Sequence, residues 1–225
     1  MGVDWYDMIA RRNGGYGSSA VYSTVGKSAE EIFEERLINM MPNFKSILDA
    51  GCGHGEFTLN MSKYANRIIG FDNSKELLAI AQTTLRISEI DNVEFVLATT
   101  KEELPFDDEQ FDLIYDRRGP TSIINHGRIL AAGGTIFGIH INVDKVREQL
   151  IANGYKEIEI EEYNEAISYF PNEVEFAKFL SAIPGNPDYT SADLKSELEV
   201  KISEHNIDGR LGIKEHKYIW KATRP

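Results

Sequence analysis

A chain of 225 residues is long enough for one domain with a sizeable core, and 42% hydrophobic with 27% charged residues is ordinary soluble composition. A net charge of −12 without a basic tail or stripe argues against nucleic acid as a partner, because sequence-independent affinity for phosphates is electrostatic. The lone cysteine, Cys52, excludes an internal disulfide and a cysteine-rich metal cage, and no apolar run is long enough to span a bilayer.

The segment Met1 to Asn13 carries Asp4 and Asp7 and lacks an apolar core, so no secretory leader is expected and the cytoplasm is the expected compartment. Residues 13–27 are rich in Gly and Ser and read as a flexible loop bearing Tyr16 and Tyr22. Ser28 and Glu31 have capping-box spacing, and Phe33, Leu37 and Met41 follow at helical intervals, predicting a helix over 28–41. A short apolar run, Phe44 to Ala50, then enters the turn Gly51-Cys-Gly-His-Gly55. Phe57, Met61 and Tyr64 mark the helix that follows, and Arg67 to Phe71 is a second strand closed by Asp72. Ser74 is placed to cap a helix with Leu77, Ala81 and Leu85 on its apolar face.

Strands are predicted at 93–98 and 111–115, a brief helix within 122–130, and a further strand at 135–140 after Gly133-Gly134. Near-continuous apolar strands alternating with helices mean a parallel sheet covered on both faces. The last third differs. A helix at 143–153 precedes an alternating stretch at 157–168, two helices follow, and the end, His216 to Ala222, alternates as a strand. The alternation makes that last strand the antiparallel partner of 157–168.

The stretch Asp49-Ala-Gly-Cys-Gly-His-Gly55 is the richest in chemistry. A parallel strand that ends in glycines and opens a helix lets a ligand approach the backbone and its N–H groups closely. An acid 21 positions after Gly51, at the end of the next strand, is placed to accept hydrogen bonds from a ribose diol, and Asp72 is that acid. A nicotinamide dinucleotide would want G-x-G-x-x-G, whereas the third glycine here comes one residue early. Asp49, two residues before the first glycine, would repel a pyrophosphate and welcome an amino group. The ligand is expected to be zwitterionic or cationic.

The segment Ile47-Leu-Asp-Ala-Gly-Cys-Gly-His-Gly55 resembles motif I of the class I S-adenosylmethionine-dependent methyltransferases. Ile68 to Asp72 resembles the ribose-binding motif of that family, Glu103 to Phe106 with Phe111 to Tyr115 its loop and fourth strand, and Arg128 to Gly134 the turn before its fifth. The four lie in the family's order across 44–140. The resemblance implies an α/β fold with a mostly parallel, seven-stranded Rossmann-like sheet, helices on both faces, and the last strand antiparallel. One domain over 1–225 is expected, with a loop and cap helix at 1–43, a cofactor-binding core at 44–140 and a helical insertion at 170–212.

The resemblance further implies S-adenosylmethionine as cofactor, with Gly51, Gly53 and Gly55 along its methionine portion and Asp72 on its ribose hydroxyls. Thr99 or Thr100 would meet the adenine amino group, and Asp116 the methionine or the substrate. Asp49, Cys52, Asn73 and the leader's Tyr16 complete the expected cofactor set, although Cys52 also reads as a plain small filler and Asp49 as a brace for the glycine turn. No metal is expected.

For the methyl acceptor, Arg117 and Arg118 leave the fourth core strand at the edge where α/β folds bind ligands, and are the candidates to clamp an anionic group. The competing reading pairs them with Asp112 or Asp116. His126, His140 and Asp116 are the candidate catalytic residues, structural histidines being the plainer reading of the first two. Aromatic residues at 163–189, among them Tyr163, Tyr169, Phe170, Phe176, Phe179 and Tyr189, are expected mostly in core, with one or two on the acceptor pocket. No Asn-Pro-Pro-Tyr stretch follows the fourth strand and no cysteine pair is present, so a small-molecule acceptor leads. An RNA methyltransferase, a nicotinamide-dependent oxidoreductase and a non-catalytic cofactor-binding protein are the alternatives.

Overall fold

The computed structural model describes residues 6–8, 10, 11, 14, 15, 18–183 and 185–225. The leader expected to be a loop contributes a short strand, β1 (Ser23–Val25), and then Ser28 caps α1 (Ala29–Met40) through the predicted reciprocal bonds with Glu31. Phe33 and Leu37 are buried on α1's inner face, with Met41 one turn further on. The core follows as β2 (Ile47–Ala50), α2 (Glu56–Met61), β3 (Ile68–Asp72), α3 (Lys75–Ile87, capped by Ser74), β4 (Val93–Leu97), β5 (Phe111–Arg117), a 3₁₀ segment at Thr121–Ile129, and β6 (Leu130–His140). Then come α4 (Val143–Ala152), β7 (Lys156–Tyr163), β8 (Ile167–Tyr169), α5 (Glu173–Ser181), α6 (Lys195–Glu204), β9 (Asn206–Ile207), β10 (Arg210–Lys214) and β11 (Lys217–Thr223).

The main sheet has the order β4-β3-β2-β5-β6-β11-β7. Strands β2 to β6 pair in parallel, and β11 lies antiparallel between β6 and β7, as the sequence pattern predicted. Every residue of β2 is buried, because both faces of the sheet are covered. On one face Phe33, Leu37 and Met41 pack over Ile47, Ile68, Leu113, Phe137 and Ile219; on the other, Val146, Leu150, Ile123 and Ile124 pack over Leu48, Ile69, Ile114 and Ile136.

Two expectations change. The stretch 157–168 is not one strand: Asn164 to Ala166 break it, β7 stays on β11, and β8 joins a second sheet of order β1-β8-β10-β9. The 170–212 insertion is therefore not purely helical, since it supplies β9 and β10 to that sheet alongside α5 and α6. Single strands of two to five residues carry too little periodicity to be read, and it is the pairing between distant segments that creates them. Phe170, Phe176, Ala177, Leu180 and Tyr189 form the core of this small lobe. Among the described residues no helix is long and apolar enough to cross a membrane.

The parallel strands bring four segments to one carboxyl edge: the glycine turn after β2, Asp72 at the end of β3, Ala98 to Thr100 after β4, and Arg117-Arg118 leaving β5. The small lobe stands at the same edge, because β7 and β11 meet it there through Tyr163 and Lys217.

In register across β5, β6 and β11, Asp116, Gly138 and Trp220 are neighbours, and the indole occupies the space a side chain at 138 would need. A methyl group on Gly138 would lie 2.2 Å from Trp220 Cζ2. Gly138→Ala should therefore cost about 1–3 kcal/mol or more by overpacking. Urea denaturation checks this, and an unchanged midpoint would mean the indole is free to move aside.

Candidate cofactor and acceptor site

A cavity of about 450 Å³ opens at that carboxyl edge. Its walls include Asp49, Gly51, Cys52, Gly53, Asp72, Asn73, Thr99, Thr100, Arg117 and Arg118, ten of the residues singled out from sequence. Gly55 lies behind it instead, buried against Ala81 and Phe95 where it caps α2, so its place is packing. Asp116, His126 and His140 do not line it. Tyr16 lies outside the described residues. Of the described leader tyrosines, Tyr22 packs on Phe170 and Phe179 in the small lobe, and Tyr6 lies on the cavity wall. Among the aromatics of 163–189, Phe170, Phe176, Phe179 and Tyr189 pack in the lobe core and Tyr163 against the main-sheet core, and none lines the cavity.

The glycine turn works by shape. The amides of Gly51 and Cys52 both donate to Phe71 O at 2.9 Å, that of Gly53 to Asp72 Oδ2 at 3.0 Å, and that of Gly55 to Cys52 O at 3.0 Å. These four N–H groups, expected to meet a ligand, are engaged within the protein, three of them by the end of β3 and that of Gly55 inside the turn. The turn is also pressed against the loop after β5: a methyl on Gly51 would fall 2.8 Å from Pro120 Cδ, and one on Gly119 only 1.9 Å from Ala50 O.

The acids are set from behind. Asp49 Oδ2 accepts from Thr58 Oγ1 at 2.6 Å and Tyr115 Oη at 2.8 Å, so this carboxylate ties α2 to β5 and does not brace the glycine amides. Burial outweighs those two bonds and pushes its pKa up to about 6. Asp72 accepts from the amides of Gly53 and Ser74, and burial again leaves its pKa raised. Cys52, held well above the usual thiol range by burial, is a neutral filler beside Gly70.

The leader docks over the start of α3. Ser74 Oγ donates to Asp7 Oδ1 at 2.5 Å while accepting from Leu77 N, and Arg11 pairs with Glu76 at 3.0 Å. Burial raises the phenol pKa of Tyr6, and the nearby Asp72 adds to it. Sequence alone carried no signal for Tyr6, Glu34, Phe57 or Asn60, which reach the cavity only through the packing of the leader, α1 and α2 on the sheet.

At the β5 end the guanidinium of Arg117 lies 4.2 Å from the ring centre of Phe57. Its Nε is 3.0 Å from Glu30 Oε2, and Arg118 Nε is 3.4 Å from Glu30 Oε1. Lys217 Nζ joins the same carboxylate at 3.1 Å and Glu215 at 2.9 Å. Burial opposes the charge on Glu30, yet Arg118, Lys217 and Arg117 together hold its pKa below the usual range. The acid beside the arginines is thus Glu30. Asp112 instead takes the amide of Lys45 at 2.7 Å, and Asp116 Oδ1 that of Gly119 at 2.6 Å. Asp116 is fully buried, its Oδ2 has no hydrogen-bond partner among the described residues, and burial lifts its pKa to about 7.

Neither histidine is arranged as a base toward the cavity. His140 Nδ1 accepts from Asn142 N at 2.9 Å, so the lone pair of the neutral ring is used and Nε2 carries the proton. His126 Nε2 donates to Thr100 O at 3.1 Å from outside the wall.

The comparisons agree with this geometry. Residues 47–133 match a family described as Methyltransferase domain. An uncharacterized methyltransferase of Bacillus subtilis, YcgJ, is 38% identical over 68 residues, covering 30% of this chain and 26% of that protein. The chain spans about a quarter of the length of the curated relatives it matches. Among solved structures, a functionally unknown protein of Deinococcus radiodurans has the same fold, with a TM-score of 0.73 at 23% identity over 99% of this chain and 100% of that one. The [4+2]-cyclase SpnF shares it with a TM-score of 0.62 at 17% identity over 99% and 94%. The matched stretch, from β2 to the start of β6, thus resembles a methyltransferase domain, and the strand order is that of a Rossmann-like sheet closed by an antiparallel strand.

The buried acids set a pH dependence. Asp49 and Asp116 rise from 3.8 to about 6 and about 7, so the folded chain keeps protons that the unfolded chain has released between about pH 4 and pH 7. Stability of the ligand-free protein should fall as pH rises through that window. Melting temperatures from pH 4.5 to 8 should show a shallower fall for Asp116→Asn than for the parent. Equal slopes would mean that Asp116 stays ionised throughout.

Proposed function

We propose that the chain binds S-adenosylmethionine in this cavity and transfers its methyl group to a small-molecule acceptor. The observation that carries this reading is the set of polar groups beside the glycine turn: over β2 to β4 carboxylates and hydroxyls line the cavity, while the glycine-turn amides that would cradle a pyrophosphate are engaged elsewhere. Such a set suits a ligand with an ammonium, a sulfonium and a ribose diol, and does not suit a nicotinamide dinucleotide.

When bound, the cofactor supplies a methyl group already activated by its positive sulfur. Asp72 would accept from the ribose hydroxyls and Asp49 would face the amino group. Thr99 is better placed than Thr100 to bond the adenine, because Thr100 Oγ1 is tied to Ser122 Oγ at 2.6 Å, whereas Thr99 Oγ1 takes only a 3.3 Å bond from Lys101 N. Gly51, Gly53, Cys52 and Asn73 shape the wall, and Tyr6 covers it. The remaining task is to hold the acceptor in line and keep water out, which is a proximity effect. A base is needed only for an acceptor that arrives protonated. We read Asp116 as a positioning residue, since its bond to Gly119 N fixes the loop that carries the arginines. The unpaired thiol of Cys52 suits the reducing cytoplasm.

Calorimetry should show binding of S-adenosylmethionine and S-adenosylhomocysteine, and none comparable for NAD. Gly53 has φ 58, so Gly53→Val meets both a strained backbone and the ligand's space and should abolish binding. Asp72→Ala should weaken it by about 1.5–3 kcal/mol, the worth of hydrogen bonds to a charged group. Unaltered affinity in Gly53→Val would overturn the site.

With a net charge of −12, the protein should bind generic RNA or duplex DNA only weakly at physiological salt. A gel-shift series with tight binding that falls steeply with added salt would favour an RNA acceptor instead.

A further inference from the structure

Two guanidiniums on the cavity wall have no evident use in holding the chain's own acceptors. Arg117 and Arg118 both come closest to Glu30 through Nε, and the contact of Arg117 lacks hydrogen-bond geometry: its Nε and Glu30 Oε2 are both buried without a hydrogen-bond partner among the described residues. None of their terminal nitrogens is hydrogen-bonded to a described residue, although each arginine presents a fork of donors matched to a carboxylate or phosphate. Arg117 lies over the ring of Phe57 and is 23% exposed along its side chain; Arg118 is more exposed, at 49%.

The loop that carries them is tightly determined. Arg118 has φ 64, a left-handed conformation that a side-chain-bearing residue adopts at a cost of about 1–3 kcal/mol. It is kept there by the Asp116–Gly119 bond and by the contact of Gly119 with Ala50 O. Glu30 must balance three cations, and of these Arg118 makes the longest contact, at 3.4 Å, and is the most exposed. Glu34 and Glu56, the acids that α1 and α2 give to the cavity, make no ion pair with either arginine among the described residues. Phe57 is the one apolar side chain among the described residues that α1, α2 and the end of β5 give to the cavity, beside Glu34, Glu56, Asn60 and the two arginines.

Resting on the methyltransferase reading, we propose that Arg117 and Arg118 form the recognition site for an anionic group on the acceptor, which is a small, polar carboxylate or phosphate compound and not an apolar one. Arg118 makes the outer contact and Arg117 the inner one, with Phe57 offering its face to the part of the acceptor between the anion and the methyl-accepting atom. The same fork could instead hold the α-carboxylate of the cofactor, and the test separates the two sources.

Arg118→Gly removes the side chain while easing the backbone at φ 64, so loss of folding cannot be blamed on strain. S-adenosylhomocysteine and 5′-methylthioadenosine, which lacks the amino-acid end, are titrated by calorimetry into the parent protein, Arg118→Gly, Arg117→Met and, as a control in the small lobe, Arg210→Met. Inorganic phosphate is then titrated into each protein saturated with S-adenosylhomocysteine, and methyl transfer is measured on small acceptors offered in pairs, a free carboxylate or phosphate monoester beside its neutral ester or amide. Cofactor affinity should be unchanged in all variants. Phosphate should bind the parent and Arg210→Met saturably and bind Arg118→Gly and Arg117→Met about tenfold or more weakly, as for loss of a charged hydrogen bond. Anionic acceptors should be preferred by the parent, with KM raised about tenfold or more and the preference lost in Arg118→Gly. The proposal is overturned if phosphate does not bind, or if neutral acceptors are used as well as anionic ones. It is also overturned if Arg118→Gly loses S-adenosylhomocysteine while keeping 5′-methylthioadenosine, for then the arginines serve the cofactor. Failure of the parent to bind S-adenosylhomocysteine at all removes the methyltransferase reading instead, and phosphate titrated into the bare protein still decides whether the arginines hold an anion.

Discussion

The backbone of the turn after β5 lies directly on the backbone of the turn after β2, and the site depends on that contact. No Cβ fits at Gly119, where it would meet Ala50 O, and Gly51 is closed off in the same way by Pro120 and Gly119. Strands β2 and β5 are parallel neighbours, so their ends are already side by side; the glycines let the two loops close the remaining gap. The result is one cavity with the glycine turn on one wall and the arginine pair on the next. Asp116 reinforces the contact by bonding Gly119 N from within the protein, and Asp49 does so from the other side by joining Tyr115 of β5 to Thr58 of α2.

That architecture sorts charge along the cavity. Over β2 and β3 stand Asp49 and Asp72, both made less acidic by burial and therefore receptive to a positive or hydrogen-bond-donating ligand. At the end of β5 stand Arg117 and Arg118, balanced by the single carboxylate of Glu30, which Lys217 shares. Glu30 belongs to α1 and Lys217 to the start of β11, so the same ion cluster that borders the cavity also joins the leader helix, the core and the root of the small lobe. Glu215 completes this joint by accepting from Ala29 N at 2.7 Å. A largely covered acid surrounded by three cations is more sensitive to loss of one partner than an exposed pair would be, which ties the geometry of the arginines to the packing of three separate segments.

What the sequence determined by itself is what short-range pattern can carry. The capping box at Ser28 and Glu31, the apolar runs of β2, β3 and β5, the glycine turn and the acid at Asp72 are each legible within a few residues, and their order fixes the parallel sheet and its ligand edge. The alternation of 217–223 likewise marked an antiparallel strand. What only the tertiary structure decided depends on segments far apart in the chain. The second sheet unites β1, β8 and β10, from residues 23–25, 167–169 and 210–214, none of them long enough to show a period. Glu30 became the partner of the arginines across 87 positions of sequence, and Tyr6 came to face the cavity through the docking of Asp7 on Ser74. The amides of the glycine turn were engaged by Phe71 and Asp72 on the neighbouring strand, a fact of strand pairing that no reading of the glycines themselves contains. Local sequence specifies local dihedral preference and burial; which carboxylate meets which cation is set by where the packed elements come to rest.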